Sequence, residues 1–293
     1  MVDPASNRRF VPKAGSLKPD SLGVMAGAAF TGHAAQSERV HPKAARSWRW
    51  ESLALALLLA AAPAWTLAAA EKVKLPGIKG EDDRVLVDPT LYPWRAIGRV
   101  NRRSGGHCTG ALVGPDKVLT AAHCLWNKRT GAWLKPESLH FVAGYAKGKF
   151  VAETKVSAVT VAAGAVADKA GEFRPETDVA LLTLAEPIGK RLGSFALGGA
   201  VAPGAVLVHA GYSQDKAHAL TVHDGCRVLG AAGTALLRHD CDATKGDSGA
   251  PLLMRQADRF MIVGVHVAST KNSAAVEGIA IASPHLKGLV PIN

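Results

Sequence analysis

The sequence of 293 residues contains no repeat at a fixed spacing, no Gly-X-Y period and no heptad series. These absences exclude a solenoid, a collagen-like triple helix and a coiled coil, each of which needs such a period. Charged residues are scarce at 20%, whereas hydrophobic residues make up 48%. A disordered chain has the opposite balance, so we expect a folded chain with enough apolar side chains for a large core.

The sequence also lacks the usual mark of a nucleic-acid-binding surface, although its formal net charge is +11. After residue 70 there is no run of Lys and Arg with aromatic residues between them. We therefore expect no nucleic acid partner. The modest excess of basic residues is compatible with an anionic cell surface or with no specific partner.

The first 70 residues have the composition of a targeting segment. Basic residues at 43–49 precede the apolar run 53–62, and an A-x-A sequence ends at Ala70. This pattern is typical of a secretory signal peptide. We expect its removal near Ala70 and export to the periplasm or the exterior. An uncleaved membrane anchor over 52–70 is the alternative, and Met25 is an alternative start.

All the cysteines follow this segment, at Cys108, Cys124, Cys226 and Cys241. An even number in an exported chain fits two disulfides, for which three pairings exist. Their spacings exclude a C-x-x-C zinc or redox motif. Four buried free thiols are the alternative.

After a polar lead-in at 71–94, short apolar stretches alternate with turn residues. They run from 96–100 to 276–282, with Gly, Pro, Asn and Asp between them, and only the region around 285–290 indicates a short helix. Many short strands without intervening helices predict an all-β barrel or sandwich. Because the stretches occur in both halves, two small barrels packed together fit this pattern.

Three motifs contain residue types used in nucleophilic catalysis. Ser248 lies in G-D-S-G-A-P, a tight turn that would expose its hydroxyl and leave backbone N–H groups free. His123 ends an apolar stretch in L-T-A-A-H-C, and Asp178 begins one in T-D-V-A-L-L. Taken singly, each has an ordinary explanation as a loop serine, a structural histidine or a solvent-facing aspartate.

Two further observations favour a shared site for these motifs. Cys124 follows His123 directly and Cys108 lies 16 residues earlier, so a bond between the cysteines would hold the histidine rigidly. A general base needs such placement. An aspartate at the start of an apolar strand is costly to bury without a partner, and a histidine N–H would supply one to Asp178.

In the order His, Asp, Ser, these motifs resemble those of the chymotrypsin-like (trypsin-fold) serine peptidases. The matching strings are C-T-G-A-L-V-G-P-D-K-V-L-T-A-A-H-C, D-V-A-L-L and G-D-S-G-A-P, and the resemblance covers roughly 90–285. D-D-R at 82–84, Y-P-W at 92–94 and V-G-V-H at 263–266 are similar to the bacterial glutamyl-endopeptidase-like branch. The resemblance implies an all-β fold of two packed six-stranded antiparallel β-barrels with a short C-terminal helix.

The resemblance also implies domain boundaries and an activity. Residues 85–293 would form the peptidase domain, with barrels over roughly 85–190 and 191–293, and 71–84 would be a propeptide or linker. The protein would be an exported serine endopeptidase, a monomer that cleaves polypeptides through an acyl-enzyme intermediate without a metal or organic cofactor. A protease-fold binding protein without turnover and a hydrolase of esters are the alternatives.

By the same resemblance, the active site would lie between the barrels. Ser248 would be the nucleophile, His123 the general base, and Asp178 the residue that orients the imidazole ring. The backbone N–H groups of Gly246 and Ser248 would form the oxyanion hole.

Asp247 has two readings under the resemblance. In the resembling animal proteases, the corresponding aspartate pairs with a newly freed N-terminal amine, which here would be that of Val85 after cleavage at Arg84. The chain departs from that pattern in two ways: Val85 is closer to the first cysteine than the corresponding residue of the animal proteases, and an I-V-G-G string is absent. In the other reading, Asp247 satisfies only local backbone donors.

Two residues give opposing indications of substrate preference. Asp242, six residues before Ser248, matches the pocket-bottom aspartate of trypsin and would select Arg or Lys at the cut site. His266 matches the histidine with which glutamyl endopeptidases hold a Glu carboxylate. Val267 and Ser269 would line the same pocket. A basic residue at the cut site is the first expectation, and acidic or small residues are the alternatives.

The cysteines of the second half bear on the same pocket. Cys226 and Cys241 are 15 residues apart, and a bond between them would close the loop that carries the specificity segment. Such a bond would fix the Asp242 side of the pocket.

Overall fold

The computed structural model describes residues 75–271 and 276–290, which belong to one compact unit, Ala70–Asn293. The signal peptide, its cleavage near Ala70 and the alternative start at Met25 lie outside the described residues. Among the residues that are described, no helix is both long and apolar enough to cross a membrane.

Strands account for most of the regular structure in the described residues. In chain order they are β1 Val85–Leu86, β2 Ile97–Arg102, β3 His107–Leu112, β4 Lys117–Thr120, β5 Trp126–Asn127, β6 Ala132–Trp133, β7 Leu139–Ala143, β8 Ala152–Val161, β9 Ala180–Leu184, β10 Ala196–Leu197, β11 Val206–Gly211, β12 Thr221–Ala232, β13 Leu236–His239, β14 Pro251–Gln256, β15 Arg259–Lys271 and β16 Val276–Ala282. The predicted all-β class is confirmed.

Helical structure in the same residues is limited to short segments. They are the α-helix α1, Gly189–Leu192, and 3-10 turns at Trp94–Ala96, Ala122–Leu125, Pro136–Ser138, Pro175–Thr177, Gln214–Lys216 and Ser283–Leu286. The predicted C-terminal helix is the last of these, a single turn of 3-10 helix.

The first barrel is closed by six antiparallel strands in the order β2-β3-β4-β9-β8-β7. The start of β8 shows how the sequence produces this sheet, because Ala152, Thr154 and Val156 are buried while Glu153 and Lys155 are exposed. Alternate side chains of a strand point to opposite faces, so this pattern turns one face towards the interior. That interior is filled by fully buried Ile97, Leu112, Leu119, Leu139, Phe141 and Leu182.

The second barrel is also closed by six antiparallel strands. Strand β12 pairs with both β11 and β13, and the ring continues through β16, β15 and β14 back to β11. Strand β1 extends this sheet beside β12, and β10 pairs in parallel with β15. The two barrels agree with the architecture that the sequence resemblance implied.

Two disulfides fix loops at the ends of strands. Cys108 in β3 is bonded to Cys124 in the turn after β4, and Cys226 in β12 is bonded to Cys241 in the loop before β14. The alternative of four free thiols is therefore wrong.

The polar lead-in packs against the second barrel. We call residues 75–84 the N-terminal strap. Gly77 has a φ of 94°, in the left-handed region that favours glycine, and a Cβ at this position would overlap the carbonyl oxygen of Ala243. This contact, together with the bond from the Ala243 N–H to the Gly77 carbonyl at 3.2 Å, brings the strap onto the loop before Ser248.

Candidate active site

The three motif residues come from different elements. His123 lies in the 3-10 turn Ala122–Leu125, and Asp178 directly follows the turn Pro175–Thr177, so both belong to the first barrel. Ser248 lies in the loop before β14 of the second barrel. The N–H of Thr109 in β3 donates to the Ser248 carbonyl at 2.9 Å, which ties that loop to the first barrel.

His123 and Asp178 are held together by two hydrogen bonds. Nδ1 of His123 lies 2.6 Å from Oδ2 of Asp178, and the His123 backbone N–H donates to Oδ1 at 2.7 Å. The carboxylate is buried, whereas the imidazole is partly exposed. A carboxylate beside Nδ1 fixes the tautomer that carries its proton there, which leaves Nε2 as a proton acceptor.

Ser248 lies close to the histidine loop. The sulfur of Cys124, the residue after His123, is 3.9 Å from the Ser248 carbonyl oxygen. Ser248 itself is half-buried. The disulfide of Cys124 to Cys108 thus passes beside the serine loop, so it restrains the side of the first barrel that faces Ser248.

The loop that precedes Ser248 needs glycine at position 246. Gly246 has a φ of 103°, and a Cβ there would lie 2.5 Å from the Tyr212 carbonyl oxygen and 3.2 Å from Nε2 of His107. The hydroxyl of Thr109 donates to the Gly246 carbonyl at 3.0 Å, which orients the following peptide. A side chain at Gly246 would push the loop out of this position.

The backbone N–H groups of Gly246 and Ser248 are available to a ligand. Within residues 75–271 and 276–290, neither N–H donates to a protein acceptor. Unpaired N–H groups in a glycine-rich loop form a concavity that favours an anion. The predicted oxyanion hole therefore has two free donors.

Asp247 points away from these donors into the protein. Its side chain is fully buried, and Oδ2 accepts hydrogen bonds from Ser213 Oγ at 2.6 Å and from the Thr244 N–H at 2.8 Å. Burial raises the pKa of Asp247 to about 6. Val85, whose amine would reach Asp247 in the first of the two readings, is paired with Val222 between β1 and β12.

A cavity of about 210 Å³ opens beside Ser248. Three of the four residues predicted to bind substrate line it, namely His266, Val267 and Ser269. Its remaining lining comes from Ala243, Thr244, Lys245 and Ala268, and from Pro76 and Gly77 of the N-terminal strap. No carboxylate of the described residues is part of this lining.

The fourth predicted residue, Asp242, lies elsewhere. It is fully buried, with Oδ1 accepting from the Lys79 N–H at 2.7 Å and Oδ2 accepting from the Asp83 N–H at 3.0 Å. Asp242 is not part of the pocket lining, and both of its oxygens are engaged by the strap, so this geometry does not favour a role at the bottom of the pocket. The physical reason is that the N-terminal strap covers the carboxylate and supplies backbone donors to both of its oxygens.

His266, which lines the pocket, packs against two other buried histidines, His209 and His239. Its Nδ1 lies 3.1 Å from Nε2 of His239, and its ring centroid is 5.7 Å from that of His209. Burial lowers the pKa of His266 to about 3, and it lowers the pKa of His209 and His239 well below the usual range. All three rings are therefore neutral near pH 7.

Sequence reasoning gave no role to His209 and His239. They lie on β11 and β13, which are separated along the chain from β15 with His266. The only local signal is a histidine within an apolar strand, and this pattern is common for a structural residue.

Residue types that bind metals also gather near the cysteines. The groups are Cys108 with His123 and Cys124, and Cys226 with Asp240 and Cys241. In both, the two cysteines are bonded to each other, so they offer no thiolate to a metal ion.

Comparison with known proteins gives concordant results. The family model described as Trypsin matches residues 87–288. A curated protein named Glutamyl endopeptidase, from Bacillus licheniformis, is 27% identical over 189 residues, which cover 63% of this chain and 57% of that protein. The chain thus spans just over half the length of this relative.

Solved structures show the same fold. A structure of Glu endopeptidase in complex with MPD has a TM-score of 0.61 and 23% identity, and the match covers 72% of this chain and 96% of that chain. The structure of the protease Anisep from Arthrobacter nicotinovorans has a TM-score of 0.55 and 16% identity. That match covers 71% of this chain and 99% of the Anisep chain.

Proposed function

The chain belongs to the trypsin family, and from this we propose that it is a serine endopeptidase with His123, Asp178 and Ser248 as its catalytic residues. The observation that carries the proposal is the bond of 2.6 Å between His123 Nδ1 and Asp178 Oδ2. With Nδ1 engaged by the carboxylate, Nε2 of the histidine is the ring nitrogen that can accept a proton, and the Thr109 N–H ties the Ser248 loop to the barrel that carries His123.

The reaction follows from the proton states of these groups. As the Oγ of Ser248 attacks the carbonyl carbon, its proton passes to Nε2 of His123. The imidazolium is stabilised by Asp178 and returns the proton to the leaving amine as the C–N bond breaks. Water then attacks the acyl-enzyme by the same route and releases Ser248.

The carbonyl oxygen of the substrate acquires negative charge during both attacks. The free N–H groups of Gly246 and Ser248 are suited to accept it, because they need no reorganisation during the reaction. Loss of one such donor raises a barrier by about 2.7–4 kcal/mol. The hydrogen bond from Thr109 to the Gly246 carbonyl supports this orientation of the loop.

The pocket favours an acidic side chain at the cut site. His266 and the hydroxyl-bearing Ser269 line it, and Asp242, the carboxylate expected to attract a cation, is engaged by the strap. The Bacillus licheniformis relative is named a glutamyl endopeptidase, which agrees with this preference. The preference is thus the reverse of the first expectation from the sequence.

A neutral His266 can still bind a carboxylate. If Nε2–H of His239 donates to Nδ1 of His266, the proton of His266 is on its own Nε2. That N–H is then a donor for a substrate carboxylate. An anion bound in the cavity also favours the protonated ring, so it opposes the lowering of the His266 pKa by burial.

The disulfides support export of the protein. Two such bonds persist in oxidising compartments, which fits removal of residues 1–70 as a signal segment. The N-terminal residue of the protein recovered outside the inner membrane tests this part of the proposal.

Digestion of a proteome-derived peptide library, with mass spectrometry of the products, tests the activity and the preference together. We expect new termini after Glu and Asp with the wild-type protein, and none with Ser248→Ala. Cleavage after Arg and Lys would contradict the acidic preference alone. Equal product formation by the variant would contradict the assigned nucleophile.

A further inference from the structure

The last residue of the N-terminal strap, Arg84, is buried in the second barrel. It is 6% exposed. Its guanidinium contacts Asp82 at 2.8 Å, Asp215 at 2.7 Å and the hydroxyl of Ser213 at 2.7 Å. An arginine with two carboxylate partners and a hydroxyl acceptor is fixed in orientation as well as in charge.

Ser213 connects Arg84 to the loop that contains Ser248. Its single hydroxyl proton is donated to Oδ2 of Asp247 at 2.6 Å, so its oxygen is the acceptor for the arginine N–H. The same Oδ2 accepts the Thr244 N–H at 2.8 Å. Asp247 thereby joins the Arg84 network to the backbone on both sides of Gly246.

A buried carboxylate needs a nearby cation to remain charged, and the structure supplies it from the strap. Building on the proposed function, we infer that Arg84 is a positioning residue: through Ser213 it holds Asp247, and with it the oxyanion loop. The competent form is then a chain that is continuous from Arg84 to Val85. No amine released at Val85 is required.

The surroundings of Arg84 argue for the intact chain. A protease that cleaved after Arg84 would need its side chain extended into a foreign pocket, yet here it is enclosed by Asp82, Asp215 and Ser213. Lys216 adds a second cation on Asp82 at 2.5 Å. Burial alone would lower the pKa of Arg84, but the hydrogen bonds that Arg84 donates to Asp82 and Asp215 outweigh this effect and raise it.

The charge of Arg84 affects the pKa of Asp247, and this effect can be measured. Burial raises the pKa of Asp247, Arg84 opposes that rise, and Asp215 adds to it. Without the arginine, Asp247 takes up a proton at higher pH. A neutral carboxyl is a weaker acceptor for the Thr244 N–H, so the loop loses its anchor as the pH falls.

The test uses Arg84→Gln, which removes the charge, Arg84→Lys, which retains it, and Arg238→Gln as a matched control. Arg238 pairs with Glu277 at 3.2 Å, also in the second barrel. We expect Arg84→Gln to lower kcat about 10- to 100-fold, less than the loss of an oxyanion donor, with KM changed by less than about 2-fold. We expect part of kcat to return in Arg84→Lys, and Arg238→Gln to behave as wild type.

Ser213→Ala keeps the ion pairs of Arg84 and removes only the bridge, so it decides the matter if Arg84→Gln does not fold. We expect Ser213→Ala to have a lower kcat than wild type. In Arg84→Gln, we expect the acid limb of the plot of kcat against pH to move to higher pH. The effects of Ser213→Ala and Arg84→Gln on kcat should not be additive, because both act through the same network. Mass spectrometry of the active wild-type protein should place its first residue before Arg84.

Two results would overturn the inference while leaving the proposed function intact. One is wild-type kcat in folded Ser213→Ala and Arg84→Gln. The other is an active wild-type protein that begins at Val85. A folded wild-type protein that neither cleaves peptides nor reacts at Ser248 with a fluorophosphonate overturns the proposed function instead, and the inference with it.

Discussion

Three aspartates show how surroundings divide the roles of one residue type. Asp178 accepts two bonds from His123, Asp247 accepts from Ser213 and Thr244, and Asp242 accepts two backbone N–H groups of the strap. The sequence predicted His123 as the partner of Asp178 because the motifs of His123, Asp178 and Ser248 follow one another in the order of the resembling peptidases. It could not reveal the partners of Asp242, since Lys79 is 163 residues away and no local pattern marks the contact.

Gly246 should tolerate no side chain. In Gly246→Ala, the added Cβ would meet the Tyr212 carbonyl oxygen at 2.5 Å, so the loop must shift and the oxyanion donors with it. We expect kcat to fall by at least about 10²-fold, as for a lost oxyanion donor. Gly105→Ala is the control, because Gly105 also has a positive φ of 95° but nothing lies within 4 Å of its Cβ position. Undiminished kcat in Gly246→Ala would show that the loop needs no glycine there.

Asp242 should affect stability and leave cleavage preference unchanged. In Asp242→Asn, one of the two backbone N–H groups of Lys79 and Asp83 loses its carboxylate acceptor. We expect a loss of about 1–3 kcal/mol in urea unfolding and the same products from a peptide library. Asp224→Asn, at an exposed carboxylate, should change neither. A loss of cleavage after basic residues in Asp242→Asn would restore the pocket-bottom role.

At the level of elements, the sequence predicted the strands but not the position of the N-terminal strap on the second barrel. The alternation in β8 and the turn residues between apolar stretches indicated short strands, and both barrels contain them. The resemblance implies a propeptide or linker at 71–84, and nothing in the polar composition of this segment indicates that it docks on a barrel. Its place on the second barrel depends on Gly77, Lys79 and Arg84 meeting residues that are remote in sequence.

The disulfide between β12 and the loop before Ser248 should contribute to stability. Cys226 and Cys241 enclose a separation of 15 residues, for which the chain-entropy account gives about 3 kcal/mol. We expect Cys226→Ala with Cys241→Ala to lower the free energy of unfolding by this amount, measured in urea. Because the strap also binds this loop at Asp242, we expect activity to persist below the lowered Tm. Unchanged stability would show that the strap alone fixes the loop.

For the whole molecule, the buried histidines impose a dependence of stability on pH. Their folded pKa values lie below that of an exposed histidine, so the unfolded chain binds more protons and stability falls as the pH drops below about 6.5. The raised pKa of Asp247 acts in the opposite direction, because the folded state takes up that proton first. His107 is also buried, and its pKa is lowered in the same direction. Four histidines thus outweigh the one carboxyl.

Urea unfolding at pH 7 and pH 5 measures this balance. We expect the free energy of unfolding to be lower at pH 5 than at pH 7, because the histidines outweigh the opposing effect of Asp247. His209→Leu removes one of the buried histidines and should make this decrease smaller. Equal stability at both pH values would contradict neutral rings in the folded core.

The central claim is that Ser248 is a nucleophile activated by His123 and Asp178, and covalent labelling tests it most directly. The folded protein with both disulfides is treated with a fluorophosphonate, and the adduct is located by peptide mass mapping. The account predicts one adduct, on Ser248, formed much more slowly in His123→Ala and not at all in Ser248→Ala. No adduct on the wild-type protein, or an adduct that persists in Ser248→Ala, would contradict it.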